Sequence, residues 1–154
     1  MKFSLTNEFK ENLKIAIDTK DIKFIKLSFE GISPADISEL LYEFDSIQSK
    51  YVLDNIDMET ASKIITELDE DTRQSFLTYF DSSEISKYLE IIDSDDGADI
   101  LSELTSEDRI EVISFIEDKE KAENLKDLLQ YDDDVAGGLM AKEYVKCNVN
   151  WKIS

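Results

Sequence analysis

Seven consecutive blocks decide the fold: SPADISELLYEF (33–44), DSIQSKYVLDNI (45–56), DMETASKIITEL (57–68), DEDTRQSFLTYF (69–80), DSSEISKYLEII (81–92), DSDDGADILSEL (93–104) and TSEDRIEVISFI (105–116). Each has twelve residues and opens on Ser33, Asp45, Asp57, Asp69, Asp81, Asp93 or Thr105. These side chains accept hydrogen bonds from the free N–H groups that start a helix. The next step lands on Glu117, beside the better cap Asp118. Seven residues after each cap stand Leu40, Val52, Ile64, Phe76, Tyr88, Ile100 and Val112, then Asn124, which breaks the pattern. Eight after stand Leu41, Leu53, Ile65, Leu77, Leu89, Leu101, Ile113 and Leu125; eleven after stand Phe44, Ile56, Leu68, Phe80, Ile92, Leu104, Ile116 and Leu128. Spacings of one, three and four mark one stripe of a helix.

Each block therefore predicts a helix of about ten residues followed by a very short turn. Alternate blocks differ four residues after the cap, Ile37, Ala61 and Ile85 against Ser49, Arg73 and Gly97, with Arg109 departing from the rule. The true repeat is thus a 24-residue helical hairpin. One short hairpin cannot bury both faces, so the expected fold is all-α, an α-solenoid of stacked hairpins. Ser33-Pro34 opens the array, and Asp81/Glu84 and Thr105/Asp108 have capping-box spacing. Glu8 to Ile17 and Asp21 to Glu30 predict a further helix pair, ended by Gly31. The expected helical domain runs over residues 1–131, with the first pair at about 8–30 and the hairpins at about 33–129. An exit follows at 132–142, and then a short β-prone stretch at 143–154.

Composition agrees with this reading. The chain has 154 residues, 42% apolar, with one proline and four glycines, too few for a turn-rich β fold. Seventeen basic against 36 acidic residues give a net charge of −19. That balance disfavours nucleic acid and adsorption to anionic lipid, and favours cations or basic surfaces. Cys147 is the lone cysteine and histidine is absent, which removes intrachain disulfides, Ser-His and Cys-His catalysis and most zinc sites. With no glycine-rich phosphate loop and no nucleophile beside a recognisable base, an enzyme is not expected. No apolar run approaches the ~20 residues of a membrane span, and Met1-Lys2-Phe3-Ser4 has no signal-peptide core, so a soluble, cytosolic polypeptide is expected.

Three strings carry a family resemblance. Ser33-Pro34-Ala35-Asp36-Ile37-Ser38-Glu39-Leu40-Leu41 resembles the opening of the MgtE magnesium-transporter N domain, and Glu67-Leu68 and Glu103-Leu104 resemble the ends of its hairpins. Val135-Ala136-Gly137-Gly138-Leu139-Met140-Ala141-Lys142-Glu143-Tyr144-Val145 is similar to the family's exit into a CBS module, with Ala141-Lys142 where Thr-Pro is usual. The resemblance implies a right-handed superhelix and a start of a CBS domain at 143–154. It also implies a homodimeric parent on the cytoplasmic side of the membrane, whose partners are Mg2+, its own CBS modules and its transmembrane domain. Mg2+ would draw the acidic N domain onto the CBS modules and favour the closed pore; no direct membrane insertion is expected of this part.

Magnesium keeps several waters and needs one or two carboxylates, so a sparse site shared between domains fits the chemistry. Asp95 and Asp99 lie four apart on the helix opening at Asp93 and project from one face. By the resemblance they align with magnesium-binding carboxylates, and Gly138 aligns with a glycine contributing through its backbone. Read without it, the same residues are a solvated first turn. Asp93-Ser94-Asp95-Asp96-Gly97 is no EF-hand: the glycine falls fifth rather than sixth, and Leu104 stands where a glutamate belongs. Asp132-Asp133-Asp134 reads as a solvated linker, and Lys63 replaces a glutamate common in the family, which implies partial loss of a subsidiary ion site. Tyr42, Tyr51, Phe76 and Phe80 read as packing, and Lys10, Lys14, Lys20, Lys23 and Lys26 as a solvated surface. The alternative function is a non-catalytic solenoid adaptor, similar to flagellar motor-switch helical domains.

Overall fold

Every cap of the repeat starts a helix in the computed structural model, which describes residues 5–130. The described residues form ten helices: α1 (Asn7–Asp18), α2 (Ile22–Phe29), α3 (Pro34–Leu41), α4 (Ser46–Asp54), α5 (Met58–Glu67), α6 (Glu70–Leu77), α7 (Ser82–Ile91), α8 (Ser94–Ser102), α9 (Ser106–Phe115) and α10 (Lys119–Leu129). None is long and apolar enough to cross a membrane. The exit at 132–142, the stretch at 143–154 and Gly138 lie outside the described residues.

The caps act as their chemistry requires. Thr6, Asp21, Ser33, Asp45, Asp57, Asp69, Asp81, Thr105 and Asp118 each accept a backbone N–H three residues on. Asp81 and Glu84 close a full capping box, as do Asp45 and Gln48. Thr105 and Asp108 do not. The Asp108 carboxylate accepts the Thr105 hydroxyl at 2.8 Å, and Ser33 donates to Asp36 in the same way. Aspartate is one methylene shorter than glutamate and stops at the hydroxyl.

The chain divides into two compact units, residues 1–80 and 81–154. In the first, α1 packs on α2 and α4, and α5 packs on α3 and α4. In the second, α7 packs on α9 and α8 on α10. Within each unit the pairs α3/α5, α7/α9 and α8/α10 are helices two places apart, which is the stacking expected of a 24-residue hairpin. All seven apolar positions at cap plus seven are buried, and so are those at cap plus eight except half-buried Ile113. Leu53, Ile64, Leu89 and Leu101 are essentially inaccessible, and full burial of such a side chain contributes about 1.5–3 kcal/mol. At cap plus eleven, Phe44, Ile56 and Leu104 remain half-buried near the turns.

Two further features follow the repeat. Ser38, Ser62 and Ser86, each 24 residues apart, are buried. Their hydroxyls donate to Ala35, Met58 and Ser83 carbonyls at 2.7 Å, so the polar atom is satisfied inside its own helix. The arginines reach backward instead of inward. Arg73 donates to the Thr66 and Leu68 carbonyls at the end of α5. Arg109 donates to Leu101, Ser102 and Leu104 at the end of α8. Each guanidinium satisfies carbonyls that a helix end leaves free. The Arg109 departure from the hairpin rule is thereby a repetition of the Arg73 role.

Candidate metal site at the start of α8

The first turn of α8 has a small, buried inner side. Ser94, Gly97 and Ala98 are buried, and a Cβ on Gly97 would stand 3.0 Å from Leu125 Cδ2 of α10 and 3.6 Å from Leu89 Cδ2 of α7. Glycine is what lets α10 approach so closely. The outer side is left to Asp93, Asp95, Asp96 and Asp99. Asp93 provides the backbone cap, its carbonyl accepting Gly97 N–H at 2.8 Å. Its side chain, however, makes no cap hydrogen bond, unlike the nine other cap side chains among the described residues.

That carboxylate joins its neighbours. One oxygen each from Asp93, Asp95 and Asp96 lies within 4.8 Å of the others. Asp93 and Asp96 are exposed and Asp95 is half-buried. Asp95 Oδ1 is shielded from water without a hydrogen-bond partner, the one such side-chain nitrogen or oxygen among the described residues. Buried acceptors are nearly always satisfied, so an orphan is informative. Like charges this close repel by about 1–4 kcal/mol per pair, depending on the water between them. The free N–H groups of the helix start offset part of that. Three hard oxygens suit Mg2+ or another hard divalent cation and leave most of the coordination shell to water or a second surface.

The two expected residues therefore part company. Asp95 is in the cluster, whereas Asp99 is exposed one turn on and is not among the three whose oxygens converge. Asp93 and Asp96 were not singled out from sequence. Their signal was present, a cap followed by two acids, but the cap position alone assigned Asp93 to helix starting. Elsewhere, Lys63 pairs with Glu59 at 2.7 Å, which raises the lysine pKa chiefly through that hydrogen bond. Phe76 and Phe80 pack edge to face in the core at 4.9 Å, with Lys50 Nζ 4.7 Å from the Phe80 ring centre. Tyr42 is half exposed beside a groove of about 370 Å³ lined by Leu41, Phe44, Leu68, Asp71 and Phe76. Its hydroxyl donates to Asp69 at 2.5 Å.

Comparison with known proteins follows the same line. The family model described as the MgtE intracellular N domain matches residues 32–134. A crystal structure of the soluble part of a magnesium transporter is similar with a TM-score of 0.77 and 18% identity, over 90% of this chain and 54% of that one. The crystal structure of the cytosolic domain of the Mg2+ channel MgtE in complex with ATP gives 0.76 and 25%, over 88% and 56%. The chain thus spans a little over half the length of these structures. No curated protein matches it.

Proposed function

The chain belongs to the MgtE intracellular N-domain family, and on that premise we propose that it is the regulatory, non-catalytic part of a magnesium channel on the cytoplasmic side of the membrane. Its task is to sense Mg2+ by docking onto the CBS modules of the same protein through bridging ions, which favours the closed pore. The observation that carries this reading is the partnerless Asp95 oxygen within the Asp93/Asp95/Asp96 cluster. A half-buried carboxylate with one oxygen shielded from water and unbonded is suited to take a cation when a second surface completes the shell.

Asp95 supplies the central ligand, Asp93 or Asp96 a second, and water and the CBS surface the remainder. Asp99 and the Gly138 backbone remain the proposed contacts to the partner side. Bound ions remove the repulsion between two acidic surfaces; ion loss restores it and separates them. When present, the metal contributes charge neutralisation and bridging, and the chain contributes position.

The test is an NMR titration of the isotope-labelled chain with Mg2+ at constant ionic strength, beside Asp95→Ala and Asp99→Ala. Saturable shifts centred on residues 93–99 that vanish in Asp95→Ala support the reading. Small, unsaturable shifts spread over all acidic surfaces would falsify a preformed half-site, and the solenoid-adaptor function would then stand ahead.

A further inference from the structure

The α1–α2 hairpin differs in charge from the rest of the chain. Residues 5–31 hold five lysines (Lys10, Lys14, Lys20, Lys23, Lys26) and five carboxylates, so the whole excess of acid lies after residue 31. Lys10 pairs with Glu43 at 2.7 Å. Lys14, Lys20, Lys23 and Lys26 are exposed and have no carboxylate partner among the described residues, in a chain with two acids per base. Four unpaired cations on one hairpin are therefore not explained by internal ion pairing.

Helix α2, IKFIKLSF, contains no acid and is mostly apolar, yet it buries only Ile25 and Phe29. Ile22, Phe24 and Leu27 stay 42%, 37% and 56% exposed. At 100° per residue, Lys26, Lys23, Leu27 and Phe24 follow one another around the side away from buried Ile25 and Phe29, with Ile22 at its edge next to Phe29. An exposed face on which two lysines are flanked by Ile22 on one side and by Leu27 and Phe24 on the other has the composition of an interfacial helix. There the apolar chains enter the acyl boundary and the lysines reach up to phosphate.

We propose that this outer face of α2, on a hairpin that also carries exposed Lys14 and Lys20, docks on an anionic lipid surface. Lipid fits better than a protein partner because lysine is depleted from the centres of protein interfaces, and here two lysines stand between the apolar chains. The net charge of −19 does not forbid it. At physiological salt, charges more than about 8 Å from the contact are largely screened. The acidic remainder, repelled by the same surface, leaves the hairpin as the approach. Each lysine near such a surface strengthens binding roughly fivefold, so the contact is reversible and salt-sensitive.

The experiment is co-sedimentation of the chain with vesicles of equal parts phosphatidylcholine and phosphatidylserine, against vesicles of phosphatidylcholine alone. The serine-lipid vesicles should bind several-fold more chain, and the double substitution Lys23→Glu/Lys26→Glu should weaken that binding at least about tenfold. Ile22→Ser/Leu27→Ser should weaken it severalfold, with unchanged circular dichroism because both side chains are exposed. Absence of binding, or equal binding by the glutamate variant, overturns the proposal. So does concentration-dependent self-association that the same substitutions abolish without any vesicle binding, which would make a second copy the occupant.

Discussion

Helix α6 begins Asp69-Glu70-Asp71, and α8, 24 residues later, begins Asp93-Ser94-Asp95-Asp96. Both caps are aspartates and both first turns are acidic. At α6 the cap is fully used: Asp69 accepts Thr72 N–H at 3.0 Å and the Tyr42 hydroxyl. Those bonds, the tyrosine first, hold its pKa down at about 2. At α8 the cap side chain bonds to no helix N–H, and the oxygen next to it is buried and orphaned. The acid at α6 is bound into the fold, whereas at α8 one oxygen of Asp95 is buried without a hydrogen-bond partner. Negative charge by itself distinguishes nothing here; hydrogen-bond satisfaction does.

The sharpest way to break this contrast is Mg2+ itself. Asp95→Ala should weaken the saturable response at residues 93–99 at least about tenfold, since even outer-shell changes reach that size. Asp69→Ala should leave it unchanged, and an equal loss in both variants would erase the distinction. Thermal unfolding should invert the order. Asp69→Ala removes a working cap and should lower Tm by about 2–4 °C, while Asp93→Ala, whose side chain caps nothing, should stay within about 1 °C.

A smaller effect is expected in acid. Because the folded pKa of Asp69 is depressed from 3.8 to about 2, its carboxylate stabilises the fold fully above pH 3.8. That contribution is lost as pH falls through about 2. Tyr42→Phe removes the chief cause, so the folded pKa should rise toward 3.8 and acid unfolding should lose steepness in that window. NMR titration of the Asp69 carboxyl reads the shift directly; an unmoved value would mean that Thr72 alone sets it. Smallest of all is Gly97→Ala. Its helix-propensity gain of about 1 kcal/mol opposes a contact with the flexible end of Leu125, so urea unfolding should move by less than about 1 kcal/mol.

Much of the fold was legible because it repeats. The caps from Ser33 to Thr105 and the stripe from Leu40 to Leu128, broken only at Asn124, obey one spacing, and repeated local signals reinforce each other. Arg73, Arg109 and the buried serines were not legible, because polar residues on an apolar stripe announce no partner until the neighbouring helix end is in place. The site was half legible. Asp95 and Asp99 share a helix face by arithmetic, but Asp93 was read as a cap, and only the geometry reveals that its carboxylate leaves that duty. Tyr42 and Asp69 lie 27 residues apart, beyond any local pattern.

The alternation of helices fixes how such a chain can change in length. Ile37, Ala61 and Ile85 are buried one place before the serines that bond back into their own helices, while Ser49, Arg73 and Gly97 occupy that position in the helices between. Removing twelve residues would exchange the two kinds, setting Ser49, Arg73 or Gly97 where the array otherwise places Ile37, Ala61 or Ile85. Removing 24 would keep the two kinds in alternation, with α9, which carries Arg109 at that position, outside the rule as before. Insertions and deletions in the array should therefore come in whole hairpins, and related chains of different length should differ by multiples of that unit.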